Sequence, residues 1–242
     1  MLREPDLLES SRWREAKSSR IAQVREPTRR AMGLGWCCFR NYAGHAVEIG
    51  GDISEEYPRF FLKPASAHVE ASEDGTNTIE LMHGDEHIDH EVELVVRLGK
   101  DLQPEAMCVG CDTTNRTRQR LAKDKRWPWT EGKAFRGSGV LGTWVPYSDE
   151  VMRLTLSVNG EVRQDASTSL MIHSVADLVK HLAGWYDLEP GDLIWTGTPK
   201  GVGPMKTDDQ IECTLAREDG EVLSRFSANC VASLDDAGPA RV

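Results

Sequence analysis

The stretch HEVELVVRLGK, residues 90–100, reads as a β-strand that carries two carboxylates on one face. Side chains alternate along a strand, so Glu91 and Glu93 point one way while Val92, Leu94 and Val96 fill the other side. A second short apolar run, MCVGCDTT at 107–114, delivers Asp112. Three convergent carboxylates, with no Lys or Arg close to them in either run, suit one hard divalent cation bound through oxygen. Mg²⁺ or Mn²⁺ fits, and Ca²⁺ could take the same place in crystals. A competing reading puts both glutamates on the solvated face of an antiparallel strand and uses Asp112 to cap the helix that follows. Spacing alone is compatible with either.

Outward from this stretch the pattern is mainly β. Apolar or alternating runs at 34–39, 59–63, 91–98, 107–111, 151–158, 191–196, 209–215 and 221–229 read as strands. Asn159-Gly160 and Asp219-Gly220 are hairpin dipeptides, suited to turns that need positive φ. Helices are predicted over 114–124 and 174–184. The second has Ser174 as N-cap, Asp177 to complete a capping-box-like pair, and Val175, Leu178, Val179 and Leu182 on one face. Residues 1–32 stand apart as a charged, locally basic extension, partly helical or flexible, whose apolar stripe is too thin for a domain of its own. Residues 33–242 then form one domain, α+β and predominantly β, with a few short helices.

At 242 residues, 39% hydrophobic and 28% charged, the chain has the length and composition of a globular domain with a sizeable core. It shows no run apolar enough to span a membrane. MLREPDLLES carries charges where a secretory leader would be apolar, and the chain is expected to be cytoplasmic. A net charge of −10 and a pI near 5.2 argue against nucleic acid or an anionic membrane as partner. Cys37, Cys38, Cys108, Cys111, Cys213 and Cys230 fall mostly in strand-like runs and are expected as reduced, packed thiols. Cys108 and Cys111 form a CxxC without a second ligand pair of suitable spacing, which argues against zinc. His83, His87 and His90 are expected to be solvated in a polar loop.

Three further segments hold candidate chemistry. In NYAGHAVEIG, His45 and Glu48 share a face if 42–49 is helical, and a carboxylate on one ring nitrogen would orient the imidazole as a base. In PWTEGKAF, the stem of Lys133 would run along an apolar wall of Trp127, Pro128, Trp129 and Phe135, placing an ammonium where it could stabilise an oxyanion. TGTPKGVGPM at 196–205 is too irregular for strand or helix and lacks the order of a phosphate-binding loop.

The segments RNYAGHAVEIG, FFLKPASA, HEVELVVRLGK, CDTTNRTRQ, RWPWTEGKAF and GDLIWTGTPKGVGPM, in that order, resemble the fumarylacetoacetate hydrolase family from about Cys37 to Ala228. The resemblance implies a mixed β-roll with the active site at its mouth, and Glu91, Glu93 and Asp112 as its metal ligands. It implies His45 and Glu48 as the base pair on a segment, 41–56, that closes over the metal, and Lys133 as the active-site lysine. Arg116, Gln119 and Thr198 are implied as substrate contacts, and a homodimer is implied as the assembly. The expected activity is hydrolysis of the C–C bond of an acylpyruvate-type 2,4-dioxo acid. The alternatives are oxaloacetate decarboxylation or tautomerisation, isomerisation of a hydroxy-dienedioate, or a non-catalytic scaffold. The chain departs from the family pattern in a shortened segment between Lys100 and Asp112, and in Cys111, Asn115 and Thr117 around the aspartate and arginine.

Overall fold

The computed structural model describes residues 32–48, 50, 57–72, 75–81 and 86–233. Apart from Met32, the expected N-terminal extension lies outside the described residues, as does most of the second half of the expected lid segment. The main sheet runs in the order Arg59–Lys63, Gly35–Phe39, Leu193–Trp195, Val92–Leu98, Pro104–Asp112, Gly139–Leu141, His68–Glu70, with Val145–Pro146 also paired to Pro104–Asp112. A second sheet runs Glu161–Ser167, Met152–Val158, Gln210–Arg217, Val222–Ala232, Asn77–Leu81. Three short strands, Gly203–Pro204, Ile88–His90 and Thr114–Asn115, make a small third sheet beside the carboxylates. Parallel and antiparallel pairs are mixed, as a β-roll requires. Among the described residues no helix is long and apolar enough to cross a membrane.

Alternation along Val92–Leu98 sorts its side chains into two apolar clusters. Val92, Leu94 and Val96 join Leu154, Leu156, Ile211 and Leu215 of the second sheet, while Val95 packs with Cys37, Cys108, Leu141 and Trp195 on the opposite face. Both faces of the main sheet are therefore covered, and the face bearing Glu91 and Glu93 is not solvated. The predicted strands all form. Beyond these, the structure adds Asn77–Leu81, the polar Glu161–Ser167 and several strands of two or three residues. Glu161–Ser167 was hidden because it is an edge strand with four solvent-facing or half-exposed polar positions and little alternation. Helix Val175–Ala183 carries the expected capping box, with Leu178 and Leu182 fully buried. Asn159 and Gly160, at φ 53° and 78°, make the tight hairpin turn.

The six cysteines are buried and free. Cys108 and Cys111 sit in opposite clusters, so the CxxC spacing brings no ligand pair together. Gly110 faces Trp195, and a Cβ there would lie 2.6 Å from Val95 Cγ2 and 2.7 Å from Trp195 Cζ3. Gly110→Ala is therefore expected to destabilise the fold by about 1–3 kcal/mol, read as a lowered denaturation midpoint. An unchanged midpoint would mean that the Trp195 layer yields freely.

Candidate active site

Strand register brings the three carboxylates together. In the antiparallel pairing Glu93 lies opposite Gly110, so Asp112, two residues further along, shares the face of Glu93 and stands opposite Glu91. The Asp112 N–H donates to the Glu91 carbonyl at 2.8 Å. Glu91, Glu93 and Asp112 are 4%, 2% and 1% exposed, and one oxygen from each falls within 4.8 Å of the others. The helix Arg116–Lys125 is capped by Asn115, whose side chain accepts from Arg118 N–H at 3.0 Å, which removes the capping role considered for Asp112.

Cations from distant segments reach this cluster, where the two apolar runs alone offered none. Lys133 Nζ donates to Glu91 Oε2 at 2.7 Å, Asp112 Oδ2 at 2.6 Å and Thr114 Oγ1 at 2.7 Å. Arg116 spans Asp89 Oδ2 at 2.7 Å, Glu91 Oε1 at 2.5 Å and Gln119 Oε1 at 3.0 Å. Lys63, fully buried at the end of Arg59–Lys63, lies 2.9 Å from Asp112 Oδ1. It also donates to Ser138 Oγ at 2.9 Å and to the Lys133 and Ser138 carbonyls. Nothing in the local pattern of FFLKP identified Lys63 beyond a charge embedded in an apolar run. Burial, then Lys63, lowers the nearby His68 to about 4, and the neutral ring accepts from Trp195 Nε1–H at 3.2 Å.

Against burial, which would raise it, Lys133 and Arg116 hold Glu91 below the usual carboxylate range. Glu93 behaves oppositely. Burial, with Asp112 and Glu91 beside it, pushes Glu93 well above that range, and the opposing pull of Lys133 and of the Gly197 N–H is smaller. Four acidic groups, Asp89, Glu91, Glu93 and Asp112, thus face three cations, Lys63, Arg116 and Lys133, and the under-compensated carboxylate is Glu93. An oxygen-only donor set with an uncompensated buried carboxylate fits a hard divalent cation.

The loop after Leu193–Trp195 ties this centre to the base pair. Gly197, at φ 92°, donates its N–H to Glu93 Oε2 at 2.8 Å, and Gly201 N–H donates to Glu48 Oε1 at 3.0 Å. The short helix Ala43–Glu48 forms as the His45/Glu48 spacing suggested, with His45 Nδ1 3.2 Å from Glu48 Oε2. Asn41 anchors its start by donating to the His173 and Thr196 carbonyls. His45, Glu91, Glu93, Arg116, Gln119, Lys133 and Thr198 then wall one cavity of about 60 Å³, completed by Arg40, Phe61, Lys123 and Trp129. A neighbouring cavity of about 270 Å³ shares Arg116, Gln119 and Lys123 with it. A larger hollow of about 630 Å³ lies elsewhere and gathers no comparable set of facing carboxylates and base.

Three expectations change. The N–H groups of Lys133 are given to two carboxylates and a hydroxyl, so in this form the lysine holds acidic side chains and is not a vacant oxyanion donor. Trp127 is exposed, and Phe61, its ring centroid 5.0 Å from Lys133 Nζ, joins the expected Trp129 in the wall. His90 is buried against Gln164, not solvated; His87 pairs with Asp89, and His83 lies outside the described residues.

The family model for the C-terminal part of fumarylacetoacetate (FAA) hydrolase matches residues 35–227, and the chain belongs to that family of enzymes. It is 39% identical over 204 residues to the mitochondrial oxaloacetate tautomerase FAHD1 of Mus musculus, covering 78% of this chain and 89% of the relative. It is 35% identical to the mitochondrial oxaloacetate decarboxylase of Dictyostelium discoideum, covering 81% and 93%. Among solved structures it is similar to fumarylpyruvate hydrolase from Pseudomonas aeruginosa in complex with Mn²⁺ and pyruvate. That match has a TM-score of 0.74 and 32% identity, and covers 84% of this chain and 91% of the other.

Because Glu93 has its folded pKa raised, its ionised form costs stability, and the cost grows as pH climbs above the ordinary carboxylate range. Glu93→Gln is therefore expected to raise the melting temperature of the metal-free protein near neutral pH, with the gain fading in acid. The same change should abolish most of the stabilisation conferred by Mn²⁺. Thermal melts with and without Mn²⁺ check both signs, and a variant stabilised by Mn²⁺ as strongly as the wild type would remove Glu93 from the donor set.

Proposed function

We propose that this protein is a divalent-metal-dependent enzyme of small 2-oxo acids, and that its substrate is a 2-oxo dicarboxylate of the oxaloacetate type. The observation that carries the reading is the sharing of one small cavity by His45, which Glu48 contacts at 3.2 Å, and by Glu91 and Glu93, two of the three clustered carboxylates. Glu91, Glu93 and Asp112 would hold Mg²⁺ or Mn²⁺. When bound there, such an ion polarises the carbonyl of a chelated 2-oxo acid and acidifies its neighbouring C–H.

The protein's own groups supply the rest. Glu48, fixed by Gly201, faces Nδ1 of His45, which places the ring proton there and leaves Nε2 able to accept one. Taking a proton from C3 and returning it to oxygen is keto–enol tautomerisation. With Arg116 and Lys133 engaged by carboxylates, Arg40 and Lys123 are the further cations on the cavity walls that favour a substrate with two negative charges. Similarity to the tautomerase and the decarboxylase supports this choice over the hydrolysis first expected. Hydrolysis of an acylpyruvate stands as the second reading. The adjoining cavity offers room for a longer chain, the likeness to fumarylpyruvate hydrolase supports it, and His45 could equally take a proton from water. Both curated relatives are named as mitochondrial, so a mitochondrial location is proposed beside the cytoplasmic one.

Oxaloacetate tautomerisation, its decarboxylation and acylpyruvate cleavage should be assayed side by side. EDTA is expected to abolish the activity, with Mg²⁺ or Mn²⁺ restoring it. His45→Ala is expected to slow proton transfer about 10²–10⁴-fold. Wild-type rates from His45→Ala would remove the base role, and faster turnover of acylpyruvate than of oxaloacetate would reverse the order of the two readings.

A further inference from the structure

We infer that Gln164, reaching in from the second sheet, sets the hydrogen-bond polarity of Thr198 and so makes its hydroxyl a donor to an anionic oxygen of the substrate. Gln164 is completely buried in the otherwise polar edge strand Glu161–Ser167. The pairing of that strand with Met152–Val158 slips between Leu156 and Ser157, beside Leu156↔Gln164, and leaves Arg163 unpaired. Such a bulge re-aims the neighbouring side chain. The loop comes close on the same side, where a Cβ on Gly201 would collide with the Arg163 carbonyl.

Every polar atom of the Gln164 amide is committed. Its Oε1 accepts from Val92 N–H at 3.0 Å and faces His90 Nδ1 at 3.1 Å, while Nε2 donates to Pro199 O at 2.9 Å and to Thr198 Oγ1 at 2.8 Å. Two backbone groups decide which end is which. Turning the amide over would set its NH₂ against the Val92 N–H and its oxygen against the Pro199 carbonyl, two like-with-like contacts in a buried place. The orientation is therefore fixed by chemistry, and Nε2 must donate to Thr198. A hydroxyl that accepts this bond keeps its own proton for another acceptor. Thr198 lines the cavity that holds Glu91, Glu93 and His45, so that proton is available to an oxygen bound there.

Gln164 is then a positioning residue that acts through Thr198. It simultaneously pins Val92, next to both glutamates, and Pro199, next to Thr198, so that the carboxylate strand and the loop keep one spacing.

The inference rests on the proposed 2-oxo acid site, and the test separates the two. Mn²⁺ affinity, by electron paramagnetic resonance, and oxalate affinity of the Mn²⁺-loaded protein, by calorimetry, are measured for wild type, Thr198→Val, Gln164→Met and the double variant. Each single change is expected to weaken oxalate about tenfold, the worth of roughly one hydrogen bond, with Mn²⁺ affinity unchanged. The double variant should be no weaker than Thr198→Val alone, because Gln164 acts on oxalate only through the hydroxyl that this change removes. Effects that multiply, or oxalate affinity left intact in Gln164→Met, would overturn the role of Gln164 alone. Should Gln164→Met fail to fold, Thr198→Val still decides, since unaltered oxalate binding there excludes the hydroxyl as donor. Failure of the wild type to bind Mn²⁺ or oxalate would overturn the site and this inference together.

Discussion

The antiparallel register between Val92–Leu98 and Pro104–Asp112 is the constraint on which the rest depends. Because side chains alternate, the register that sets Glu93 opposite Gly110 puts Asp112 on the same face as both glutamates and directly opposite Glu91. A slip of one residue would turn Asp112 into the apolar cluster with Leu94 and Leu156. Gly110 in turn leaves room for Trp195, whose neighbour Thr196 begins the loop that reaches back to Glu93 and Glu48. Packing of the sheet and placement of the candidate centre are thus the same geometric fact.

Burying three carboxylates is costly, and the fold offsets the cost with cations from separate elements. Lys63 comes from an edge of the main sheet, Arg116 from the start of a helix, and Lys133 from the short helix Thr130–Lys133. The compensation is incomplete at Glu93, which makes that residue acidic only at the expense of stability. Incomplete neutralisation is what a cation-binding centre needs: a fully paired cluster would have no affinity left for an ion.

What could be read from the chain alone follows from the range of the interactions involved. Glu91, Glu93 and Asp112 were legible because strand periodicity is local, and His45 with Glu48 because an i, i+3 pair is local. Helix Val175–Ala183 announced itself through Ser174 and Asp177. The ammonium of Lys63 and the amide of Gln164 were not legible. Each acts across a large sequence separation, 49 residues from Lys63 to Asp112 and 34 from Gln164 to Thr198, within runs whose local pattern says nothing of the partner. The solvated fate expected of His90 failed for the same reason, since the group that buries it lies on another sheet. Family resemblance supplied the roles of Arg116, Gln119 and Thr198, but not the finding that Arg116 is occupied by Asp89 and Glu91.

The most direct measurement is a crystal structure with Mn²⁺ and oxalate bound. The account expects a single ion held by Glu91, Glu93 and Asp112, with oxalate on the same ion and His45 facing it. An ion held elsewhere, or Lys133 still bridging Glu91 and Asp112 with no ion beside them at saturating Mn²⁺, would contradict it.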